Sequence, residues 1–439
     1  MLRSISVCTL LAGLLLAPCA QGQLFELAQR EDLRNIDPAT SNGRLGRELA
    51  TALGGRLLLA AAPFKEDDLD PGSQDGSVYS FVVNPNGTLF LTQTLQPAER
   101  FQFGSTLDAD GEWAAIGSSN AVHLFRHGAT GWALAQTLDV DEDVPATAGI
   151  VVRNLRASLA LSGDLLAVGD TSANVDAGAG VVSNAGAVVL FRRGGDAVWR
   201  HEATLAAAQP VGASGFGSKV AVDGDALLIG APNDKVADIG VGGAYLFQRD
   251  GAHWSLRRTL RNPDPGEVAE FGWSVALQDG LAVVGCATCF VFAQGPSNTG
   301  SFFTYQRNLG GPDNWGLEGE TVGSRADFID NFSISLRLSG GLLLVGATGT
   351  SPNVATLLAR EVNGGWRELA LLESAETTNT EFGHAVALAP ARAFVGASLW
   401  PNRSTSERWG AVYSWYSPSL AACGGRLDRV FCNGFEDSQ

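Results

Sequence analysis

The sequence predicts an all-β chain, and three observations carry that expectation. One phrase recurs in seven copies, each copy carries strand signals in the same order, and a strand missing from the last copy has a spare counterpart near the N-terminus. Together they predict a seven-bladed β-propeller of four-stranded blades, closed by an N-terminal strand completing the last blade. The phrase is clearest as FGSKVAVDGDALLIGAP at Phe216–Pro232, with partial copies starting at Leu45, Phe103, Leu155, Phe271, Phe332 and Phe382.

Each copy reads as a β-meander. The first strand follows the Phe-Gly, as in Trp273–Leu277 and His384–Leu388. A tight turn leads to a β-branched or Leu-rich second strand, such as Leu165–Gly169 or Leu342–Gly346. The third usually ends on an aromatic: Phe81, Phe125, Phe191, Phe247, Trp415. The fourth opens on Trp and reaches Leu six residues on, from Trp132 to Leu138, Trp199 to Leu205, Trp254 to Leu260 and Trp366 to Leu372. An even step puts both ends of that strand on one side of the sheet. Short strands rich in Val, Leu and aromatics, separated by Gly, Asp and Asn, are hairpin signals, and no 3.6-residue period competes with them. The last copy runs from Trp415 into Ser417-Pro418 with no Trp-to-Leu strand, while Gln23–Leu33 offers a strand before the first anchor. Pairing the two removes two exposed sheet edges.

Composition agrees with many short strands joined by turns. The chain has 439 residues, 54 of them Gly, one Met, and only 17% charged. A formal net charge of −16 argues against a nucleic-acid partner, which needs clustered Lys and Arg. Arg3, the apolar run Leu10–Leu16 and Ala20-Gln21-Gly22 have the layout of a secretory signal. That run is too short to span a bilayer, and no later stretch does better. Leu16-Ala17-Pro18-Cys19 approaches a lipoprotein box, but Pro18 stands where a small residue is usual. The expected layout is therefore a signal peptide at 1–22, the propeller at 23–418 and a tail at 419–439, in a secreted or cell-surface protein, with the periplasm as the other destination. A monomer is expected.

Two close cysteine pairs remain after the signal, Cys286/Cys289 and Cys423/Cys432. In an exported chain they suggest local disulfides. Cys286-Ala-Thr-Cys289 has CxxC spacing but sits inside a β-repeat, not at the helix start that a redox motif uses, and no His or Cys lies near it to complete a zinc site.

The wording Phe-Gly-x-x-Val-Ala, Gly-Asp, Leu-Leu-Ile-Gly-Ala-Pro, Ala-Tyr-Leu-Phe and Trp…Thr-Leu resembles FG-GAP repeats, the blades of integrin alpha-chain propellers and of many secreted bacterial proteins. The likeness covers roughly Leu45–Ser417, with Leu155-Arg156 and Phe332-Ser333 replacing Phe-Gly in the third and sixth units. The resemblance implies adhesion or ligand binding more often than catalysis. Calcium-binding blades of that family carry an Asp-x-Asp-x-Asp-Gly loop between the first two strands. Here that link is a hairpin such as Val222-Asp223-Gly224-Asp225, with too few oxygens for calcium. A separate acidic loop, Asp67, Asp68, Asp70 and Asp75, reads as solvated surface. No metal and no cofactor are expected. The tail from Cys423 ends in Val-Phe-x-Asn-Gly-Phe-Glu, similar to short sorting tails on some secreted gammaproteobacterial proteins; the other reading is a pinned, disordered end.

In an up-and-down blade the links from strand two to three and from strand four to the next blade share one face. Those links are long here, including Asp139–Asn154, Asp170–Gly186 and Ala231–Gly242, and they carry Asp139, Asp141, Asp143, Asp176, Asp234 and Asp238. Long loops on a rigid scaffold mark that face as the recognition surface. Trp273 and His384, directly after a Phe-Gly, are expected at the channel mouth there. Trp400 and Trp409, outside the repeat pattern, are candidates to stack on a glycan or protein ligand. The five His residues fall in no metal-ligand or nucleophile pattern, so no catalytic residue is assigned. The expected function is a binding or adhesion module, not an enzyme. The alternatives are an exported propeller hydrolase or lyase acting on polysaccharide, and a structural surface protein.

Overall fold

The computed structural model describes residues 31–33, 43–66, 73–85, 88–97, 101–237, 239–263, 270–289, 299–324, 331–349, 354–362, 364–374, 380–399 and 409–417. Among them helix is limited to one α-helical turn, Val140–Asp143, and one 3-10 turn, Leu53–Gly55. The rest of the regular structure is nine antiparallel sheets, seven of them four-stranded. No helix among the described residues is long and apolar enough to cross a membrane.

The seven larger sheets follow one another along the chain. Sheet 1 holds Leu49–Ala52, Leu57–Ala62, Ser77–Val83 and Leu89–Leu95. Sheet 2 holds Thr106–Asp110, Trp113–Gly117, Ala121–Gly128 and Gly131–Asp139. Sheet 3 is Ser158–Ser162, Leu165–Asp170, Ala187–Arg193 and Trp199–Leu205, and sheet 4 is Lys219–Asp223, Ala226–Ala231, Gly243–Asp250 and His253–Leu260. Sheets 5 and 6 begin at Phe271–Gln278 and Ser335–Ser339 and end at Trp315–Thr321 and Trp366–Glu373. Sheet 7 takes only three strands from its own repeat, Phe382–Ala389, Arg392–Ala397 and Ala411–Tyr416. Its fourth is N-terminal: Glu31–Leu33 pairs antiparallel with Val412–Ser414.

Packing between sheets explains the repeated phrase. Seven clusters of buried apolar residues each join two consecutive sheets, and one of them joins sheet 7 to sheet 1. The anchor Phe216 is fully buried between sheets 3 and 4, its ring edge-on to Tyr245 at 5.2 Å. Burying one such side chain contributes roughly 1.5–3 kcal/mol. The glycine after the anchor meets the glycine that closes the second strand of the preceding sheet. A Cβ on Gly230 would overlap the carbonyl oxygen of Gly272, and one on Gly396 would overlap that of Gly46, across the junction of sheets 7 and 1. Phe-Gly and Gly-Ala are thus two halves of one inter-sheet contact.

One expectation about the fourth strand is corrected. In six sheets the pairing of strands three and four slips by one residue, as between Leu124 and Phe125 or Leu246 and Phe247. The extra residue of this β-bulge changes which side later residues face. Trp132 therefore packs with sheet 1, while Leu138 packs with sheet 3. Trp366 and Leu372 divide in the same way between sheets 5 and 7. Three of these indoles also tie back to the sheet before: Trp132 Nε1 donates to Ser80 Oγ at 3.1 Å, Trp254 Nε1 to Glu202 Oε1 at 2.7 Å, and Trp366 Nε1 to Thr304 Oγ1 at 2.9 Å.

Gly230→Ala is expected to lower stability by roughly 1–3 kcal/mol or more, because a methyl group there overpacks a backbone contact. Gly195→Ala, where a Cβ would meet nothing within 4 Å, serves as the control. Thermal unfolding followed by circular dichroism should separate the two; equal melting temperatures would remove the glycine contact from the account of the fold.

Candidate functional site

The first strands of the seven sheets lie side by side: each touches the next, and Leu49–Ala52 touches Phe382–Ala389. Thr51 Oγ1 donates to the Leu388 carbonyl at 2.8 Å across that last contact. Together the strands line a cavity of about 390 Å³. It opens where the short hairpins lie, with Gly54, Gly55 and Gly111 on its wall.

One position in the repeat contributes five residues to the cavity wall: Ala160, Ala221, Ala276, Asp108 and Arg337. The fifth residue after the anchor is Ala50, Ala160, Ala221, Ala276 and Ala387 in five sheets. In sheets 2 and 6 it is Asp108 and Arg337, and these pair across the space. Both terminal nitrogens of Arg337 donate to Asp108 Oδ1 at 3.1 Å. Asp108 Oδ2 accepts from the Leu161 backbone at 2.8 Å, so the carboxylate is held on both oxygens. Two positions further on, carboxylates latch onto the next hairpin: Asp110 Oδ2 accepts from Gly163 N at 2.7 Å and Asp223 Oδ2 from Asp279 N at 2.6 Å. Gln278 Oε1 does the same for Gly340 N at 3.1 Å.

Glu48 and His384, beside the first strand of sheet 1 and on the first strand of sheet 7, both feel the charge of Lys219 on the first strand of sheet 4. Burial pushes the Glu48 carboxyl above its usual range, against the pull of Lys219 and Arg47. His384 is lowered to about 3, first by burial and then by the positive charges of Arg47, Lys219 and Arg44. Its Nδ1 is buried without a hydrogen-bond partner. His384 is therefore neutral over the whole physiological range.

The sequence-expected residues are dispersed. Trp273 and His384 occupy the same register in sheets 5 and 7, and both are partly buried. Trp409 is partly buried, and its carbonyl accepts from Leu45 N at 2.8 Å, joining the last sheet to the first. Trp400 lies outside the described residues, as do Cys423, Cys432, Asp67, Asp68, Asp70 and Asp238. Cys286 and Cys289 are buried side by side with Cα atoms 5.3 Å apart, within the reach of a disulfide. Among the described residues no group of three or more His, Cys, Asp or Glu is arranged to hold a metal ion. Asp234 is buried beneath its loop, where it receives hydrogen bonds from the Tyr245 hydroxyl and pairs with Arg261 at 2.7 Å.

The long loops have structure of their own. Ile150–Val151, Asn174–Asp176 and Val181–Val182 form a three-stranded sheet, and Lys235–Val236 pairs with Ile239–Gly240. These small sheets leave Val151, Val181, Val236 and Ile239 between 47% and 65% exposed. Asp139 caps the turn beside them, its Oδ1 accepting from Glu142 N at 2.9 Å. Sequence reasoning missed Asp108 and Arg337. Their signal is visible once the seven copies are aligned on their anchors, as the two charges in a column of alanines.

Because His384 titrates near 6.5 when unfolded and about 3 when folded, the unfolded chain binds the extra proton between those values. Its contribution to stability is intact above pH 6.5 and is lost progressively as pH falls toward 3. The melting temperature of His384→Gln should fall less than that of the natural chain between pH 7 and pH 4. Parallel curves would mean that His384 is not held neutral by its surroundings.

Residues 199–247 match the FG-GAP repeat family, a span running from the outer strand of sheet 3 through the first three strands of sheet 4. No curated protein matches the sequence. Among solved structures, a Bacteroides uniformis ATCC 8492 protein provisionally named a 6-phosphogluconolactonase is 11% identical, with 75% of this chain and 88% of that chain covered at a TM-score of 0.46. A Lactobacillus plantarum protein is 13% identical over 76% of this chain and 86% of that one, at 0.48. At such scores neither likeness carries an argument about activity. The match falls on a copy in which the anchor, the glycine contact and the bulge are all present, and this part of the chain is similar to an FG-GAP repeat.

Proposed function

We propose that this chain is an exported binding module. In this reading the seven four-stranded sheets are the blades of a closed propeller, the N-terminal strand is the clasp of its last blade, and the long-loop face is the recognition surface. The observation that carries it is the pair of small sheets built from the long loops, which lift four aliphatic side chains into water. Exposed apolar residues held on ordered loops, with polar surroundings, are the usual make-up of a protein or glycan contact. Export rests on Arg3, the run Leu10–Leu16 and Ala20-Gln21-Gly22. Aliphatic residues near acidic ones favour a protein ligand, while the expected aromatic stacking platform for a glycan would centre on Trp409 and Trp400.

The reading against catalysis rests on how the channel groups are used. Asp108 is held on both oxygens, by Arg337 and by Leu161 N. A carboxylate committed to the scaffold is a poor general base, since moving its proton disturbs the contact it makes.

The test is an array of glycans and peptides probed with the purified protein, with and without calcium. Binding to one ligand class is expected, weakened at least tenfold in Val151→Asp/Val181→Asp at unchanged melting temperature. Turnover of a polysaccharide without retention on any ligand would favour the hydrolase or lyase reading instead.

A further inference from the structure

The cavity lined by the first strands lies at the hairpin end, away from the long loops. The cavity of about 390 Å³ at the hairpin end is not a gap left by poor packing, because its walls are regular strands contributed by all seven sheets. Ala160, Ala221 and Ala276 stand on its wall with the Asp108–Arg337 pair, which crosses it. Its rim carries Asp110, Ser162, Asp223, Gln278 and Ser339.

The chemistry of these groups is mixed, and that narrows the ligand. Arg337 has five N–H donors, and the bond to Asp108 engages only its two terminal nitrogens. The hairpin latches use one oxygen each of Asp110 and Asp223, and the carbonyl oxygen of Gln278. The second carboxylate oxygens are left as acceptors and the Gln278 amide nitrogen as a donor, while the Ser162 and Ser339 hydroxyls serve as either. An anionic ligand would meet three carboxylates and one guanidinium. A cationic one would face Arg337, and an apolar one would strand buried polar groups without partners. A hydroxyl both gives and accepts at a single atom, so a ring of hydroxyls satisfies both kinds of group. The alanine methyls supply small apolar surface for carbon-bound hydrogens.

We propose that this hairpin-end cavity binds a small polyhydroxylated molecule of about monosaccharide size. The site is separate from the long-loop face and stands whether or not that face binds anything. Asp110 and Asp223 accept ligand hydroxyls, Arg337 and Gln278 donate to them, and Ala221 sets the room available.

The test uses the full-length protein and four probes: D-glucose, D-galactose, D-mannose and N-acetyl-D-glucosamine. Saturation-transfer NMR and titration calorimetry should detect at least one of them. Asp110→Asn/Asp223→Asn keeps an oxygen for each backbone latch but changes the acceptors, and should weaken binding about tenfold. Ala221→Leu should abolish it by filling the cavity, and Val181→Asp on the opposite face should leave it unchanged. Should Ala221→Leu fail to fold by circular dichroism, the Asp110→Asn/Asp223→Asn variant decides. No transfer from any of the four sugars, a cavity holding water only, would overturn the proposal. So would binding that survives both the carboxylate and the alanine substitutions.

Discussion

The close approach of glycine backbone between consecutive sheets is the constraint on which the rest depends. Gly230 against Gly272 and Gly396 against Gly46 bring main chain onto main chain with no side chain between them. That contact sets how near the first strand of one sheet lies to the second strand of the sheet before it. Once the inner edges are held at this spacing, the larger side chains further out must fill a widening wedge. Phe anchors fill its inner part and the fourth-strand Trp residues its outer part, which accounts for the order of small and large residues within each copy.

Polar bonds reinforce the same junctions at different radii. Near the axis, carboxylates and Gln278 reach the next hairpin amide. At the periphery, Gln93 exchanges two hydrogen bonds with the Trp132 backbone, and Gln136 does the same for Trp199. Between sheets 3 and 4, Glu202 gathers Arg192, Arg249 and the Trp254 indole. Burial of Glu202 is offset in part by Arg249 and the Trp254 indole on the adjoining sheet, so such a residue specifies which sheets meet rather than adding much net stability.

Much of this was legible in the repeat. The anchors, the hairpin turns and the spare N-terminal segment could be read because each obeys a local rule, period-two alternation or turn chemistry. The fourth-strand bulge was not, because the slip at Leu124 and Phe125 leaves no mark in the spacing of Trp132 and Leu138. The candidate cavity was hidden for a related reason. Alanine at Ala160 or Ala221 is unremarkable alone, and Asp108 and Arg337 lie 229 residues apart. Loop length pointed to the opposite face, since long connections announce themselves in sequence while a void does not.

By itself the sequence determined the unit: an anchor, a glycine, four short strands and the turns between them, repeated with small variations. These are local choices of residue, and each copy makes them independently. Only the tertiary structure decided what the units enclose. Which residues face one another across the channel depends on the register of all seven first strands together. That register brings Asp108 and Arg337 together and sets Ala160, Ala221 and Ala276 on the same cavity wall, as no local pattern could.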